Sequence, residues 1–345
     1  MSNCDWSEGE KSYNQYYFVK TSERNWTESV IKLPAGTNGT AGTKASYVYF
    51  GDWPQTIRNK NIPVDTTETI TRGGYTYYKG SDNYWYAFCE ENGANGDGKY
   101  SNGDSVQLEE EYKYFRVEPI KWRVLKEDYD GNGNALLLAE NILTANVPYY
   151  SGSDRTINGN AVYASNYKYS TIRAYLNGSY EDDDTQATTY AGTGFLQTAF
   201  TDDAQDLIVE TSVDNSAESR IDYDRKITSE EEYACANTVD KIFLLSAYEA
   251  TNPDYGFAEY NNNDANNIRR KKQTDFALAN YAWYSKYSPN SGMWLLRSPG
   301  MPDSEDATAV KKRAFNVSGD GNFTGNWECS KREISIVPAL TIALP

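Results

Sequence analysis

The chain has 345 residues, of which 39% are hydrophobic and 14% aromatic, and 33 basic against 49 acidic residues give a net charge of −16. A field of this sign disfavours nucleic acid and anionic lipid as general partners. Histidine is absent, which excludes zinc sites and Ser-His-Asp catalysis in their usual forms. No apolar run approaches the roughly 18–20 residues that cross a bilayer, and no signal peptide is visible.

The first half of the chain divides into an extension and the start of an ordered domain. Residues 1–44 have no sustained period and end in a Gly/Thr-rich linker, so we expect an N-terminal extension followed by one domain over residues 45–345. The β-branched and aromatic run 47–50 predicts a strand. Residues 75–78 and 84–88 flank a five-residue loop that contains Gly, which predicts a hairpin.

The later signals predict short strands and short helices. In chain order they are a strand at 115–125, a returning strand at 135–139, a helix at 170–178, a helix at 202–209, a buried strand at 241–246, a helix at 274–284 and a strand-like anchor at each end of the C-terminal fifty residues, 293–299 and 336–342. Strands and helices mixed without β-α-β alternation predict an α+β fold.

The turn between the strands 115–125 and 135–139 resembles the start of a calcium loop. It contains Asp128, Asp130 and Asn132 at suitable spacing, but the closing acid should fall at position twelve, which is Ala139. The flanking segments are strands rather than helices. The sequence therefore predicts a hairpin turn, and a looser surface calcium site stays open.

The four cysteines, Cys4, Cys89, Cys235 and Cys329, are far apart and form no CxxC pair. This spacing argues against zinc clusters and thioredoxin-like redox chemistry. One or two long-range disulfides are allowed, and the three full connectivities stay open. Cys4 is either the remnant of a lipid-attached cysteine or an ordinary thiol.

Tyrosines occur in clusters along the chain. Core packing explains most clusters, because each ring hides a large apolar area. Tyr next to Ser and Gly is also the composition of binding loops, where a two-torsion aromatic supplies contact area at low entropy cost. The second interpretation fits the loop 149–153 better than the strand 75–78.

Seven short motifs occur in one order along residues 45–344. They are FGDWPQ at 50–55, PIKWRVL at 119–125, ALLLAE at 135–140, STIRAYLN at 170–177, FLLS at 243–246, WLLRSP at 294–299 and VPAL at 337–340. Together they resemble a bacterial extracellular family with a "WxLRSP … RPAL" ending, similar to the Treponema-type variable proteins of diversity-generating retroelements. That family is similar to C-type-lectin folds of the formylglycine-generating-enzyme kind.

The resemblance implies a lectin-type scaffold whose C-terminal segment, residues 293–335, displays ligand contacts. It assigns scaffold roles to Trp294, Leu296, Arg297, Ser298 and Pro299. The positions that match variable contacts are Met293, Leu295, Met301, Asp303, Ser304, Asp306, Arg313, Phe315, Asn316, Asp320, Asn322, Thr324 and Trp327.

Two stretches of this segment depart from the family's Gly/Asn-rich pattern. Residues 311–313 and 328–333 are more charged, and Ile336 stands where the family has Gly. A hypervariable and a fixed binding segment therefore both stay open. Phe315, Trp327 and Arg313 are the expected anchors of the contact surface, each worth about 2 kcal/mol if it lies at the centre of an interface.

The expected function is non-catalytic ligand binding by a receptor- or adhesin-like protein of the bacterial cell surface or periplasm. The expected ligand is a macromolecule, a protein rather than a glycan, and no nucleic acid. Contact with a membrane is expected only through a lipid anchor, and no cofactor is expected apart from the open calcium site. A glycan-binding module, with or without calcium, is the alternative, and a carboxylate-based hydrolase is the third hypothesis.

Overall fold

The computed structural model describes most of the chain from residue 47 onward and one short segment before it. The described residues are 31–33, 47–93, 98–106, 111–178, 190–228, 230–258, 260, 268–284, 291–302 and 306–343. None of the helices within these ranges is long and apolar enough to cross a membrane.

Sixteen strands lie within the described ranges. They are β1 (Ile31–Leu33), β2 (Tyr47–Ile57), β3 (Val64–Arg72), β4 (Tyr75–Gly80), β5 (Trp85–Glu91), β6 (Glu111–Lys126), β7 (Asn134–Ala139), β8 (Arg155–Ile157), β9 (Asn160–Val162), β10 (Thr211–Val213), β11 (Thr238–Asp240), β12 (Ile242–Phe243), β13 (Trp294–Pro299), β14 (Arg313–Val317), β15 (Phe323–Glu328) and β16 (Ala339–Ala343).

The helices in the same ranges are few and short. The α-helices are α1 (Thr171–Asn177), α2 (Phe195–Ala199), α3 (Asp202–Asp206) and α4 (Asp275–Ala279), and the 3-10 helices are Ala217–Arg220, Glu231–Tyr233, Glu249–Thr251, Pro253–Tyr255 and Ala307–Lys312. Mostly antiparallel sheets with a few short helices make the architecture α+β, as the sequence predicts.

Nine strands form one antiparallel sheet around the long strand β6. On one edge of β6, β2 pairs from Ile57 opposite Phe115 to Tyr47 opposite Arg123. On the other edge, β5 pairs with the N-terminal part of β6 and β7 with its C-terminal part, so these two strands share one edge end to end. Strands β4 and β3 extend the sheet beyond β5, while β16 and β12 extend it beyond β7.

The predicted N-terminal extension contributes to this sheet. Strand β1 lies within residues 1–44 and pairs with Tyr47, Val48 and Tyr49 at the start of β2. At least this part of the extension is therefore sheet rather than linker.

Strand β7 and helix α1 show why the strongest local signals are confirmed. All five apolar residues of β7, 135–139, are fully buried, as expected for a strand packed on both faces. In α1 the side chain of Ser170 accepts a hydrogen bond from the Arg173 N–H, and Gly178 ends the helix with a φ of 87°. The predicted strand 47–50 and the two predicted hairpins are also present.

Three predicted elements are shorter in the structure than in the sequence analysis. The helix predicted at 274–284 ends at Ala279, because Tyr281 takes a φ of 69°, where an α-helix cannot continue. The helix predicted at 202–209 ends at Asp206, and the strand predicted at 241–246 is limited to two residues, β12. Leu244, Leu245 and Ser246, which follow β12, are buried outside any strand, so an apolar run alone did not set their conformation.

A partly buried ion cluster joins β2 and β6 to the residue that follows β7. Arg123 donates two hydrogen bonds to Glu140, at 2.6 and 2.9 Å, and a third to the hydroxyl of Tyr47 at 2.6 Å. The almost fully buried Lys271 lies 3.4 Å from the same carboxylate. Burial would raise the pKa of Glu140, but Lys271 and Arg123 outweigh it and lower this pKa from 4.5 to about 2.

The ion cluster predicts a specific acid sensitivity. Because the pKa of Glu140 is lower in the folded state, its contribution is fully present above pH 4.5 and is lost as the pH falls towards 2. We expect Glu140→Gln to lower the free energy of unfolding at pH 7 by about 2–3 kcal/mol. The difference between wild type and variant should shrink between pH 4.5 and 2 in urea titrations; a difference that stays constant would contradict this assignment.

Candidate ligand-binding surface at the C-terminal hairpin

The C-terminal display segment folds as a small antiparallel sheet in the order β13-β14-β15. Two of the scaffold positions tie it to the rest of the molecule. The buried indole of Trp294 donates a hydrogen bond to the Arg269 carbonyl at 2.8 Å. The Arg297 backbone N–H donates to the Leu245 carbonyl at 2.9 Å, next to β12 of the main sheet.

Four of the predicted contact residues are buried rather than exposed. Met293, Leu295, Phe315 and Asn316 expose between 0% and 7% of their surface. The expectation that these side chains face solvent is wrong, because all six residues of β13 and residues 314–317 of β14 are buried, so both strands are covered on both faces. These four positions are core positions of the display segment.

Asn316 is unusual among these four because its side-chain amide is both buried and unpaired. Neither its Oδ1 nor its Nδ2 has a hydrogen-bond partner in the described part of the chain. The residue lies opposite Leu295 on one neighbouring strand and Thr324 on the other. Burying an unpaired amide costs free energy, so this position lowers the stability of the sheet.

We predict that Asn316→Leu leaves the free energy of unfolding unchanged or raises it by about 1 kcal/mol, because the variant removes a buried polar group that has no partner. Asn177 is the matched control. Its amide donates to the carbonyls of Arg173 and Ile242 and accepts from the N–H groups of Lys241 and Ile242. Asn177→Leu should therefore cost about 2 kcal/mol or more in the same urea titration. Equal losses in the two variants would show that Asn316 is satisfied.

Strands β14 and β15 form a hairpin. Its turn, residues 318–322, holds two more predicted contacts, Asp320 and Asn322. The carboxylate of Asp320 accepts hydrogen bonds from the Ser318 hydroxyl and, at 3.0 Å, from the Asn322 side-chain amide. From inside the molecule, Arg270 donates to the Asp320 carbonyl at 2.9 Å and Arg269 to the Gly321 carbonyl at 2.8 Å. Asp320 and Asn322 are both half-buried, and their polar groups already form the hydrogen bonds that shape the turn.

Four predicted contacts, Met301, Arg313, Thr324 and Trp327, are half-buried on β14, β15 and the residues after β13. The open end of the hairpin is the end opposite its turn. There, backbone hydrogen bonds join the residues after β13 to the hairpin: the Met301 N–H donates to the Gly325 carbonyl at 2.7 Å, and the Gly300 N–H donates to the Arg313 carbonyl at 2.7 Å. Trp327 pairs with Ala314 beside them.

The remaining predicted contacts, Asp303, Ser304 and Asp306, do not add to the half-buried contacts of the hairpin. Asp306 is exposed, and its carboxylate caps the 3-10 helix Ala307–Lys312 by accepting from the Thr308 N–H at 2.9 Å. Asp303 and Ser304 lie outside the described residues.

The structure therefore divides the predicted surface between the two ends of one hairpin. Asp320 and Asn322 are at the turn, whereas Arg313 and Trp327 are at the open end. Five residues of extended strand separate the two ends by roughly 17 Å. A single small ligand cannot touch both sets, so one end has to be chosen as the candidate site.

The open end of the hairpin borders a cleft of about 620 Å³. Its other wall is the loop 150–154, and the polar side chains on the cleft are Tyr150, Ser153, Asp154, Lys312, Glu328 and Ser330. One backbone hydrogen bond joins the two walls, from the Tyr150 N–H to the Cys329 carbonyl at 3.0 Å. A second, from the Cys329 N–H to the Lys312 carbonyl at 2.8 Å, holds the hairpin wall itself together. We call this space the hairpin cleft.

Two sequence signals point to cleft residues that the contact positions did not include. Lys312, Glu328 and Ser330 belong to the charged stretches that depart from the family pattern, and Tyr150 and Ser153 belong to the loop with a binding-loop composition. Neither signal shows that the two stretches meet, because about 160 residues separate them. The signals were local, whereas the cleft is a long-range contact.

In the described ranges no group of three or more His, Cys, Asp or Glu residues is placed to hold a metal ion. Asp128 accepts from the Gly133 N–H at 2.9 Å and Asp130 from the Asn132 N–H at 3.0 Å, so both carboxylates close the hairpin turn that the sequence predicts. A looser calcium site at this turn stays a prediction, and a calorimetric titration that shows no calcium binding would remove it.

Three of the four cysteines lie in the described part of the chain, and none of the three forms a disulfide. Cys4 lies outside it. Burial raises the pKa of the Cys329 thiol and that of the Cys89 thiol, so both stay protonated at neutral pH and are poor nucleophiles.

Comparison with known proteins gives a family but no annotated relative. A family model described as "Domain of unknown function (DUF6273)" matches residues 132–344. No curated protein and no solved structure matches the chain. The matched segment begins in the turn between β6 and β7. It therefore includes the hairpin cleft, but not the first six strands, which supply most of the nine-stranded sheet.

Proposed function

The chain belongs to the family of the domain of unknown function DUF6273, and we propose that it is a non-catalytic binding protein that presents the hairpin cleft to a macromolecular ligand. The ligand we propose is a protein. We place the molecule on the surface or in the periplasm of a bacterium, on a lectin-type scaffold like that of the variable proteins it resembles. In this proposal residues 293–335 are the binding segment, and a segment that varies between copies and one that is fixed are both compatible with it.

The observation that carries this proposal is the hairpin cleft itself. A volume of about 620 Å³ lies within the range of roughly 300–1,000 Å³ that is typical of ligand sites. A main-chain hydrogen bond joins its two walls and a second one holds the hairpin wall, so little ordering is needed when a ligand binds. The surface is preorganised without being filled by its own side chains.

The chemistry of the cleft supports a protein ligand. Lys312 is cationic, Asp154 and Glu328 are anionic, and all three are exposed, so the rim offers charges of both signs. The aromatic ring on the wall of the cleft is Tyr150, which is half-buried and packs partly against the core. A partly buried aromatic side chain beside a rim of mixed charge is the arrangement found at protein interfaces.

The residue chemistry also supports a non-catalytic role. The chain has no histidine, the commonest general base. The thiol that lines the cleft, Cys329, is buried and its pKa is raised, which disfavours a nucleophilic role.

The test is binding of fluorescently labelled protein to a panel of bacterial and animal cells. The charge-reversed double variant Lys312→Glu/Glu328→Lys should lose at least tenfold in apparent affinity. Each reversed rim charge would repel the ligand group that the wild-type side chain attracts. Tyr223→Ala is the matched control, since Tyr223 is also exposed but packs on Tyr248 away from the cleft residues.

Pretreatment of the cells separates a protein ligand from a glycan. Protease should abolish binding through the cleft, whereas a mixture of glycosidases should not. Binding that is unchanged in the double variant would overturn the proposed cleft, and binding lost only after glycosidase treatment would favour the glycan alternative.

A further inference from the structure

The outer face of β4, β5 and β6 carries a ladder of aromatic rings that the hairpin cleft does not use. Phe88 stacks on Tyr112 with ring centroids 4.8 Å apart and an interplanar angle of 16°. Tyr114 lies 4.8 Å from Phe88 and 5.6 Å from Tyr78. The ladder thus crosses three neighbouring strands and ends at Tyr112, which is 56% exposed.

Sheet stability explains only part of this ladder. Cross-strand aromatic pairs stabilise a sheet, and this accounts for Phe88, Tyr78 and Tyr114, which are half-buried by one another. It does not account for the exposed end of the ladder. Tyr112 has the greatest exposure of any large aromatic side chain in the described residues.

A groove of about 520 Å³ opens beside Tyr112 and Tyr114. It forms where β2 leaves the edge of β6, after the Arg58 N–H has donated to the Tyr114 carbonyl at 2.8 Å. The hairpin-like loop 98–106 supplies the facing wall with Tyr100, Asn102 and Asp104. Asn102 and Asp104 are exposed and hydrogen-bonded to each other at 2.9 Å, which fixes the tip of the loop.

The described lining of this groove is positively charged, in a chain whose net charge is −16. It contains the cations Arg58, Lys60 and Lys113 and the single carboxylate Asp104. Lys113 is partly balanced by Glu91 at 3.7 Å. The guanidinium of Arg58 lies 4.7 Å from the centre of the Tyr114 ring, so one cation is held directly over the aromatic ladder.

We propose that this groove is a second binding site, specific for an oligosaccharide that carries carboxylates. The apolar C–H face of a sugar ring packs on the exposed face of Tyr112, and its hydroxyls exchange hydrogen bonds with Asn102 and Asp104. Arg58 and Lys60 pair with the carboxylate of an acidic sugar. The site is built from residues outside 132–344, and it is independent of the hairpin cleft and of the function proposed for it.

A nucleic acid also combines stacking with negative charge, but it fits this groove less well. A single strand carries a phosphate at every nucleotide, so the part beyond the groove meets the field of a strongly acidic protein. An oligosaccharide with a carboxylate on every second sugar places its charge at the basic lining and stacks neutral rings beside it.

The test is calorimetric titration of the full chain with a hyaluronan hexasaccharide, in which every second sugar is acidic, and with neutral chitohexaose. We expect the acidic hexasaccharide to bind at least tenfold more tightly than the neutral one. Tyr112→Ala and Lys60→Glu should each weaken that binding at least tenfold. Tyr223→Ala, a matched exposed tyrosine, and the cleft variant Lys312→Glu/Glu328→Lys should bind like wild type.

Several results would overturn the second site. These are no binding of either hexasaccharide, equal binding of the two, or wild-type affinity in Tyr112→Ala. Tighter binding of a thymidylate hexanucleotide than of hyaluronan would assign the groove to nucleic acid instead. Because Lys60 is exposed, thermal unfolding of Lys60→Glu should match wild type, and Tyr112→Ala should lose only the stacking on Phe88 and stay folded, which separates loss of binding from loss of folding.

Discussion

Replacing Arg297 by Met is expected to lower the free energy of unfolding by about 3–5 kcal/mol, since it leaves the carboxylate of Glu249 buried without a counter-charge. The two side chains form an ion pair in which the guanidinium is 2% exposed and the carboxylate 8%. Arg297 also donates to the Leu244 carbonyl at 2.8 Å and to the Asp214 carbonyl at 2.9 Å. One side chain thus joins three segments beneath the display segment.

The measurement is urea unfolding, with two further variants that separate charge from packing. Lys226→Met removes an exposed ion pair with Asp224, at 3.3 Å, and should cost less than about 1 kcal/mol. Arg297→Met/Glu249→Leu removes both buried charges, and should be more stable than Arg297→Met alone. A loss in Arg297→Met no larger than that in Lys226→Met would contradict the role given to this pair.

Phe315→Ala is expected to cost about 3–5 kcal/mol, because it leaves a cavity in the core of the display segment. The ring is 1% exposed and packs edge-on against Phe323 at 6.4 Å. This expectation reverses the role that the family resemblance implies for the residue, which was an exposed binding anchor.

Trp327→Ala provides the contrast within the same sheet. Its side chain is half-buried at the open end of the hairpin, so we expect the free energy of unfolding to fall by less than about 2 kcal/mol. Urea titrations of the two variants test this difference. If Trp327→Ala destabilised the protein as much as Phe315→Ala, both residues would be core residues of the display segment.

Local signals in the sequence predicted an element correctly where the interactions that form this element are themselves local. The apolar run of β7 and the Ser and Gly caps of α1 act within a few residues, and both elements have the predicted bounds to within two residues. Strand β3 was not predicted because most of its residues, such as Thr66 and Glu68, are polar and exposed. Its pairing with β4, rather than its own composition, makes it a strand.

The candidate site was harder to predict because strand position decides which side chains are exposed. The sequence Arg-Ala-Phe-Asn-Val of β14 gives no sign that other parts of the chain cover both faces of this strand. Only the turn residues and the open end stay accessible. The contact that forms the hairpin cleft joins Tyr150 to Cys329, and no periodic pattern links positions that far apart.

The most direct test of the hairpin cleft is hydrogen exchange on the protein with and without the protease-sensitive cell-surface ligand bound. The proposed function predicts slower exchange at residues 150–154 and 328–331 in the complex, with no change at the turn 318–322 or along β6. Protection centred on the turn, or absent from both walls of the cleft, would contradict it.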